Sequence, residues 1–268
     1  MSLLHAQNLS HGYTSGGMLT GKHRVQVLHD LSLTLHEHQS LGLLGGSGSG
    51  KSTLARLLMG IEAPEQGRIS FCNGAFEPAS KAFLQTVQMV FQDAISAFNP
   101  QRTIGWSIAE PLRHLRGLHA RAQQIRVAEL LQQVQLAPSD AEKLPSQLSG
   151  GQLQRAGIAR ALAAEPKLII LDEALSNLDR VLQVQMLGLL AELRSRLGTA
   201  FVLITHDLSL VQNFCQRVIV LAEGTVVEDR PVVPGMRFTH PAGRELQEAV
   251  LVGEPVKRSQ NRALNVTV

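Results

Sequence analysis

Apolar residues recur along this chain with two different periods, and the switches between them divide it into elements. In residues 25–36, VQVLHDLSLTLH, the apolar side chains Val25, Val27, Leu31, Leu33 and Leu35 fall on odd positions with mostly polar residues between. That alternation predicts a half-buried strand or a hairpin pair. Residues 40–44, SLGLL, form a short apolar run ahead of a glycine cluster and predict a buried strand. Leu54 to Met59 reads as a helix that Gly60 can end. Strands are expected over 67–71 and 87–91. From about 93 to 147 the period becomes helical, with Ile125, Ala128, Leu131 and Val134 as one apolar stripe. Strand signals return at 167–171, 200–205, 217–222 and 225–228, the last two flanking the hairpin-like turn Glu223-Gly224. Between the first two of these, Leu182, Met186, Leu189, Leu190, Leu193 and Leu197 line one helix face, which Gly198 ends. A last helix is expected over 242–252, followed by a polar, loosely held tail from Gly253.

Strands alternating with helices, interrupted by a helical block after Phe91, predict an α/β core with a helical insert. The composition, 44% hydrophobic and 18% charged over 268 residues, suffices for an ordinary globular core. A net charge of +3, with Lys and Arg scattered, gives no nucleic-acid footprint. No apolar run approaches the roughly 18 residues of a membrane span. The start, MSLLHAQNLSHGY, lacks the basic-then-apolar order of a signal peptide. Any membrane association is therefore expected to go through a partner. Cys72 and Cys215 show no metal-ligand spacing and are expected to be buried thiols. Six histidines, His5, His11, His23, His29, His36 and His38, crowd the first 38 residues. They are expected at the surface rather than as a metal-binding tract.

The chemistry lies in three stretches. Gly45-Gly46-Ser47-Gly48-Ser49-Gly50-Lys51-Ser52 fits the phosphate-loop pattern G-x-x-x-x-G-K-[ST], with Thr53 following, between an expected strand and an expected helix. Its glycines let backbone N–H groups point at phosphate oxygens, Lys51 can reach the β- and γ-phosphates, and the Ser52 hydroxyl can ligate Mg²⁺. Leu168-Ile169-Ile170-Leu171 buries a strand that presents Asp172 for the metal and Glu173 to polarise a water. Leu148-Ser149-Gly150-Gly151-Gln152 opens a helix with Ser149 as N-cap and two glycines that let a phosphate approach the helix's positive end. After one expected strand, Gln92 could reach Mg²⁺ and the attacking water; after another, His206 could contact the γ-phosphate. Taken singly, both read more readily as ordinary polar residues, and Tyr13 as core.

Together these residues resemble the ABC ATPases over nearly the entire chain. The resemblance implies a P-loop NTPase cassette: a RecA-like core, an antiparallel β subdomain and a helical insert. Residues 1–92 would hold the β subdomain and the first part of the core. Residues 93–150 would form the helical subdomain, 151–235 the rest of the core, and 236–268 a C-terminal helix and loose tail. It implies that Tyr13 stacks on the base, Gly45 to Ser52 is Walker A, and Gln92 is the Q-loop glutamine. Leu148 to Gln152 becomes the signature, Asp172 Walker B, Glu173 the catalytic carboxylate, Ser176 to Asp179 the D-loop, and His206 the switch histidine. ATP and Mg²⁺ are the implied cofactors. Two such domains would sandwich two ATPs head to tail.

QDAISAFNPQRTIGWSIAEPL after Phe91 and RFTHPAGRELQEAV near the end resemble the peptide/nickel importer subfamily. Gly46 stands where that subfamily usually has Glu, and Ala242-Gly243 where it often has Tyr-Thr. This resemblance implies an ATPase subunit at the cytoplasmic face of a bacterial inner membrane, importing nickel or, as the rival, peptides. Its partners would be a paralogous ATPase or a second copy, two permeases and a periplasmic binding protein. A soluble ABC protein of translation or DNA repair fits less well. The chain carries one cassette, and short elements rather than a long coiled coil separate Lys51 from Asp172. A regulator without turnover would lack Glu173 or His206, and both are present.

Overall fold

The structure, a computed structural model, describes residues 1–15, 23–72, 74, 75, 77, 78 and 80–253. Its strands form two sheets. In the first, β1 (Ser2–Ser15), β2 (His23–His36), β4 (Gln66–Phe71) and β5 (Gly74–Ala75) lie antiparallel in the order β2-β1-β4-β5. The second contains β3 (Ser40–Gly45), β6 (Val87–Val90), β7 (Leu168–Asp172), β8 (Ala200–Thr205), β9 (Arg217–Ala222) and β10 (Thr225–Pro231). Its order is β10-β9-β3-β8-β7-β6, and all pairs are parallel except β9–β10. The helices are α1 (Lys51–Leu58), α2 (Lys81–Thr86), α3 (Ile104–His114), α4 (Ala120–Gln133), α5 (Gly150–Leu162), α6 (Arg180–Leu197), α7 (Leu208–Phe214) and α8 (Pro241–Gly253). None of the described helices is long and apolar enough to cross a membrane.

The continuous apolar runs of the parallel sheet follow from its burial on both faces. Alternate side chains enter two different cores. Leu41, Leu43, Leu168, Ile170, Val202, Ile204, Ile219 and Leu221 join a core with α1, β1, β2 and β4. Leu44, Ile169, Leu171, Phe201, Leu203, Val218 and Val220 face the other way, into a core with α3, α4, α5, α6 and α7. The parallel strands β3, β7, β8 and β9 show no amphipathic alternation, because both of their faces are inside.

Five expectations are corrected. In β2 the buried face shifts from Leu28 to Leu31, Leu33 and Leu35, while Val25 is exposed. A bulge is the cause: the register with β1 shifts between Ala6, Leu9 and His11, and Asp30 takes φ 47°. One extra residue moves every later side chain to the opposite face. On α4 the inward positions are Val127, Leu130 and Leu131, whereas Ile125 points to solvent. On the leucine face of α6, Leu197 is exposed at the last turn and Gln183 takes a buried place. Cys215 is buried as expected, but Cys72 is exposed, in a turn with φ 49°. His11 is likewise buried rather than at the surface. The strand β1 and the helix α2 were not anticipated. The tail beyond Gly253 lies outside the described residues.

The turn joining β9 to β10 ties three elements together. Glu223 and Gly224 have φ of 47° and 73°, the pairing a tight type I′ hairpin requires. Gly224 N–H donates to Ser49 O at 3.2 Å, and His29 N–H donates to Gly224 O at 3.0 Å. A Cβ at Gly224 would stand 2.1 Å from Val27 O. Gly224→Ala is therefore expected to destabilise the chain by about 2–4 kcal/mol through left-handed strain and backbone overlap. Urea unfolding with an unchanged m-value measures this.

Candidate functional site

The loop between β3 and α1 is shaped by backbone rather than side chains. Gly48 and Gly50 have φ of 75° and 102°, and Gly50 caps α1 with no side-chain bond. The first-turn N–H groups of Lys51, Ser52 and Thr53 thus have no intrahelical acceptor, at the positive end of the helix. A Cβ at Gly46 or Gly48 would meet nothing within 4 Å, so the space over the loop is open. Lys51 Nζ donates to Gly45 O at 2.8 Å and Gly46 O at 2.7 Å, which binds the loop to its own start. Burial holds the ammonium below its ordinary pKa, and the nearby Glu173 and Asp172 carboxylates act against that. Ser49 Oγ is buried without a hydrogen-bond partner among the described residues, whereas Ser52 is exposed.

Asp172 ends β7 and faces this loop. Its Oδ1 is buried and without a hydrogen-bond partner among the described residues. Burial, then the neighbouring Glu173, pushes its carboxyl above the ordinary range, while Lys51 and Arg56 pull the other way. Glu173 takes the left-handed φ of 47°, and its N–H donates to Ile204 O at 3.0 Å. That twist brings its Oε1 within 3.7 Å of His206 Nδ1, on the loop after β8. One edge of the parallel sheet therefore assembles Lys51, Asp172, Glu173 and His206.

Other predicted residues stand apart from that group. Ser149 caps α5: its Oγ accepts from Gln152 N–H at 3.3 Å, and Gln152 Oε1 accepts from Ser149 N–H at 2.9 Å. A Cβ at Gly150 would meet nothing within 4 Å, while Gly151 is buried near Leu182. Among the described residues no hydrogen bond or ion pair joins Ser149–Gln152 to the phosphate loop. Asp179 caps α6 through Leu182 N–H at 2.9 Å. Gln92 is exposed on the loop after β6. Tyr13 sits in β1, its hydroxyl 3.5 Å from Thr53 Oγ1.

Sequence reading missed Arg180 and Asp207. Arg180 reaches Asp207 Oδ2 at 3.3 Å and Ser209 Oγ at 2.7 Å, so the start of α6 is linked to the loop that carries His206. Asp207 had a signal, as an N-cap residue after a strand; it caps α7 through Ser209 N–H at 2.8 Å. Arg180 had none, because its partner is distant in sequence. The C-terminal helix also borders the loop. A cavity of about 330 Å³ is lined by Gly46, Ser49, Glu223, Ala242, Glu245 and Leu246 among others. A Cβ at Gly243 would lie 2.6 Å from Phe238 Cβ, which accounts for the absence of a larger residue there.

A glycine-rich loop before a lysine, a strand-end acid pair with a histidine beside it, and a capped Gly-Gly helix thus stand on one α/β core. A family profile described as "ABC transporter" matches residues 28–176. The chain belongs to the ABC transporter family, as an ATP-binding, ATP-hydrolysing subunit. It is 57% identical to the nickel import ATP-binding protein NikE of Pseudomonas putida, over 98% of each chain. It is 52% identical to the protein of the same name in Escherichia coli K12, over 96% of this chain and 98% of that one. Among solved structures, a dimeric ATP-binding cassette, MJ0796, bound to ADP and Pi after hydrolysis superposes with a TM-score of 0.77. That match is 27% identical and covers 86% of this chain and 99% of that one. The cassette cbiO1 of Clostridium perfringens, part of the transporter complex cbiONQ, gives 0.75 at 27% identity, over 86% and 88% of the two chains.

A buried acid with an orphaned oxygen costs stability when charged. Asp172→Asn is expected to raise the Tm of the nucleotide-free chain at neutral pH by about 2–4 °C. It should also lower ATP hydrolysis by at least about 100-fold. Calorimetry and a phosphate-release assay check the two halves.

Proposed function

We propose that this chain powers import of nickel ions across a bacterial inner membrane, at whose cytoplasmic face it is held by permease subunits. The observation that carries the reading is the identity with nickel-import ATPases, which extends through both ends of the cassette and 98% of each chain. A second cassette, a paralogue or another copy, two permeases and a periplasmic binding protein complete the assembly. Nickel is cargo and does not need to touch this subunit.

The site residues take the following roles. Phosphates of ATP occupy the open space over Gly46 and Gly48, cradled by the first-turn N–H groups of Lys51, Ser52 and Thr53, with the Lys51 ammonium neutralising the β- and γ-phosphates. Asp172, Ser52 and Gln92 offer hard oxygens, and the unpartnered Oδ1 of Asp172 fits a divalent cation. Mg²⁺ held there would neutralise charge developing on the transferred phosphoryl group. Glu173 accepts a proton from the attacking water, and His206, 3.7 Å from it, orients the γ-phosphate. Gln92 orients the same water. Tyr13 is the platform for the base.

Ser149, Gly150, Gly151 and Gln152 serve a nucleotide held by the other cassette, with Asp179 at the same interface. Support comes from their separation from this chain's own loop and from the open approach to Gly150. ATP binding then closes two cassettes, and hydrolysis releases them.

Glu173→Gln preserves shape and removes the base. It is expected to lower steady-state hydrolysis at least about 100-fold and to accumulate an ATP-bound dimer in size-exclusion chromatography; wild-type turnover would overturn the role. For cargo, cells lacking only this chain should lose radioactive nickel uptake and regain it on complementation. Intact nickel uptake with lost dipeptide uptake would assign a peptide importer instead.

A further inference from the structure

Tyr13 is the only tyrosine in the chain, and it is half-buried. It donates to Glu62 Oε2 at 2.6 Å. Glu62 lies in the turn after α1 and gathers two further partners. His11 Nε2 stands 3.2 Å from the same oxygen, and an Arg56 guanidinium nitrogen 3.6 Å from the other. The His11 ring meets the Tyr13 ring edge-on, with centroids 5.1 Å apart and planes at 84°. His11 Nδ1 is buried without a hydrogen-bond partner among the described residues, so the polar contact of this imidazole goes to Glu62.

These contacts join two layers. His11 and Tyr13 belong to β1 of the antiparallel sheet, while Thr53 and Arg56 belong to α1, whose first turn follows the phosphate loop. Glu62 is the group to which all three donors converge. A phenol bonded to a carboxylate is held more firmly than one bonded to a neutral acceptor. With the His11 ring packed perpendicular to it, the Tyr13 ring is held relative to Thr53.

We propose that Glu62 is a positioning residue for ATP binding, fixing the Tyr13 ring at a set height above the start of α1 so that its face is ready for a base. The proposal rests on the reading of Tyr13 as the base platform. Glu62 itself touches no nucleotide. Its removal raises the cost of binding and leaves the chemistry at Glu173 alone. Stacking is tolerant of the base, so ATP and GTP lose equally.

The test uses the full chain carrying ring-¹³C tyrosine, whose NMR signals report Tyr13 alone. Glu62→Leu is expected to shift those signals without nucleotide, and to raise KM for ATP and GTP about 5-fold with kcat within about 2-fold. Glu62→Gln keeps an acceptor oxygen and should cost about 2-fold in KM; it carries the test by the same readouts if Glu62→Leu does not fold. Wild-type signals and KM in both variants, with or without a lowered Tm, would reduce Glu62 to a structural staple and overturn the proposal. Tyr13→Ala separates the two readings. If it raises KM while the Glu62 variants do not, only the positioning role fails. If it keeps wild-type KM, and saturating MgATP leaves the wild-type Tyr13 signals unmoved, the platform reading fails and takes the proposal with it.

Discussion

Leu44 pairs with Thr205 and Asp172 with Ile204, so β3, β8 and β7 end level with one another. The phosphate loop leaves β3, the acid pair leaves β7 and His206 leaves β8 from that one edge. Each side chain arrives there because the strand behind it is locked between neighbours and buried on both faces. A parallel strand with two buried faces has little freedom to slip, because a one-residue shift would exchange the side chains of its two cores. The chemistry therefore inherits its precision from packing far from any substrate. Glu173 adds the last adjustment, a left-handed turn anchored on Ile204 O.

Much of this was legible in the sequence. Glycines at fixed offsets before a lysine, and four apolar residues before two acids, have mechanical reasons that survive without coordinates. The turn at Glu223-Gly224 was equally plain, since few dipeptides suit two positive φ values. The periodic arguments failed in particular places. Asp30 inserts a bulge, so the alternation of β2 changes face midway, and nothing in a linear count announces it. On α4 the stripe through Ile125 was drawn from spacing alone, while the helix turns Val127 and Leu130 inward. Residues that act across the chain, such as Arg180 on Asp207 or Glu62 on Tyr13, carry no local pattern because their partners lie on other elements.

The site is also divided in a way that the core is not. Lys51, Asp172, Glu173 and His206 stand together, whereas the Ser149–Gln152 turn spends its side chains on capping α5. Its serine and glutamine satisfy each other's backbone, and Gly150 opens outward.

The bonds from Lys51 to the Gly45 and Gly46 carbonyls have a further consequence. A glycine-rich turn ordinarily surrenders much freedom when an anion captures it, at roughly 1–2 kcal/mol per residue fixed. Here the chain's own cation already holds the turn in shape. That loss falls on folding, and the arrival of phosphate becomes an exchange of partners around a standing scaffold.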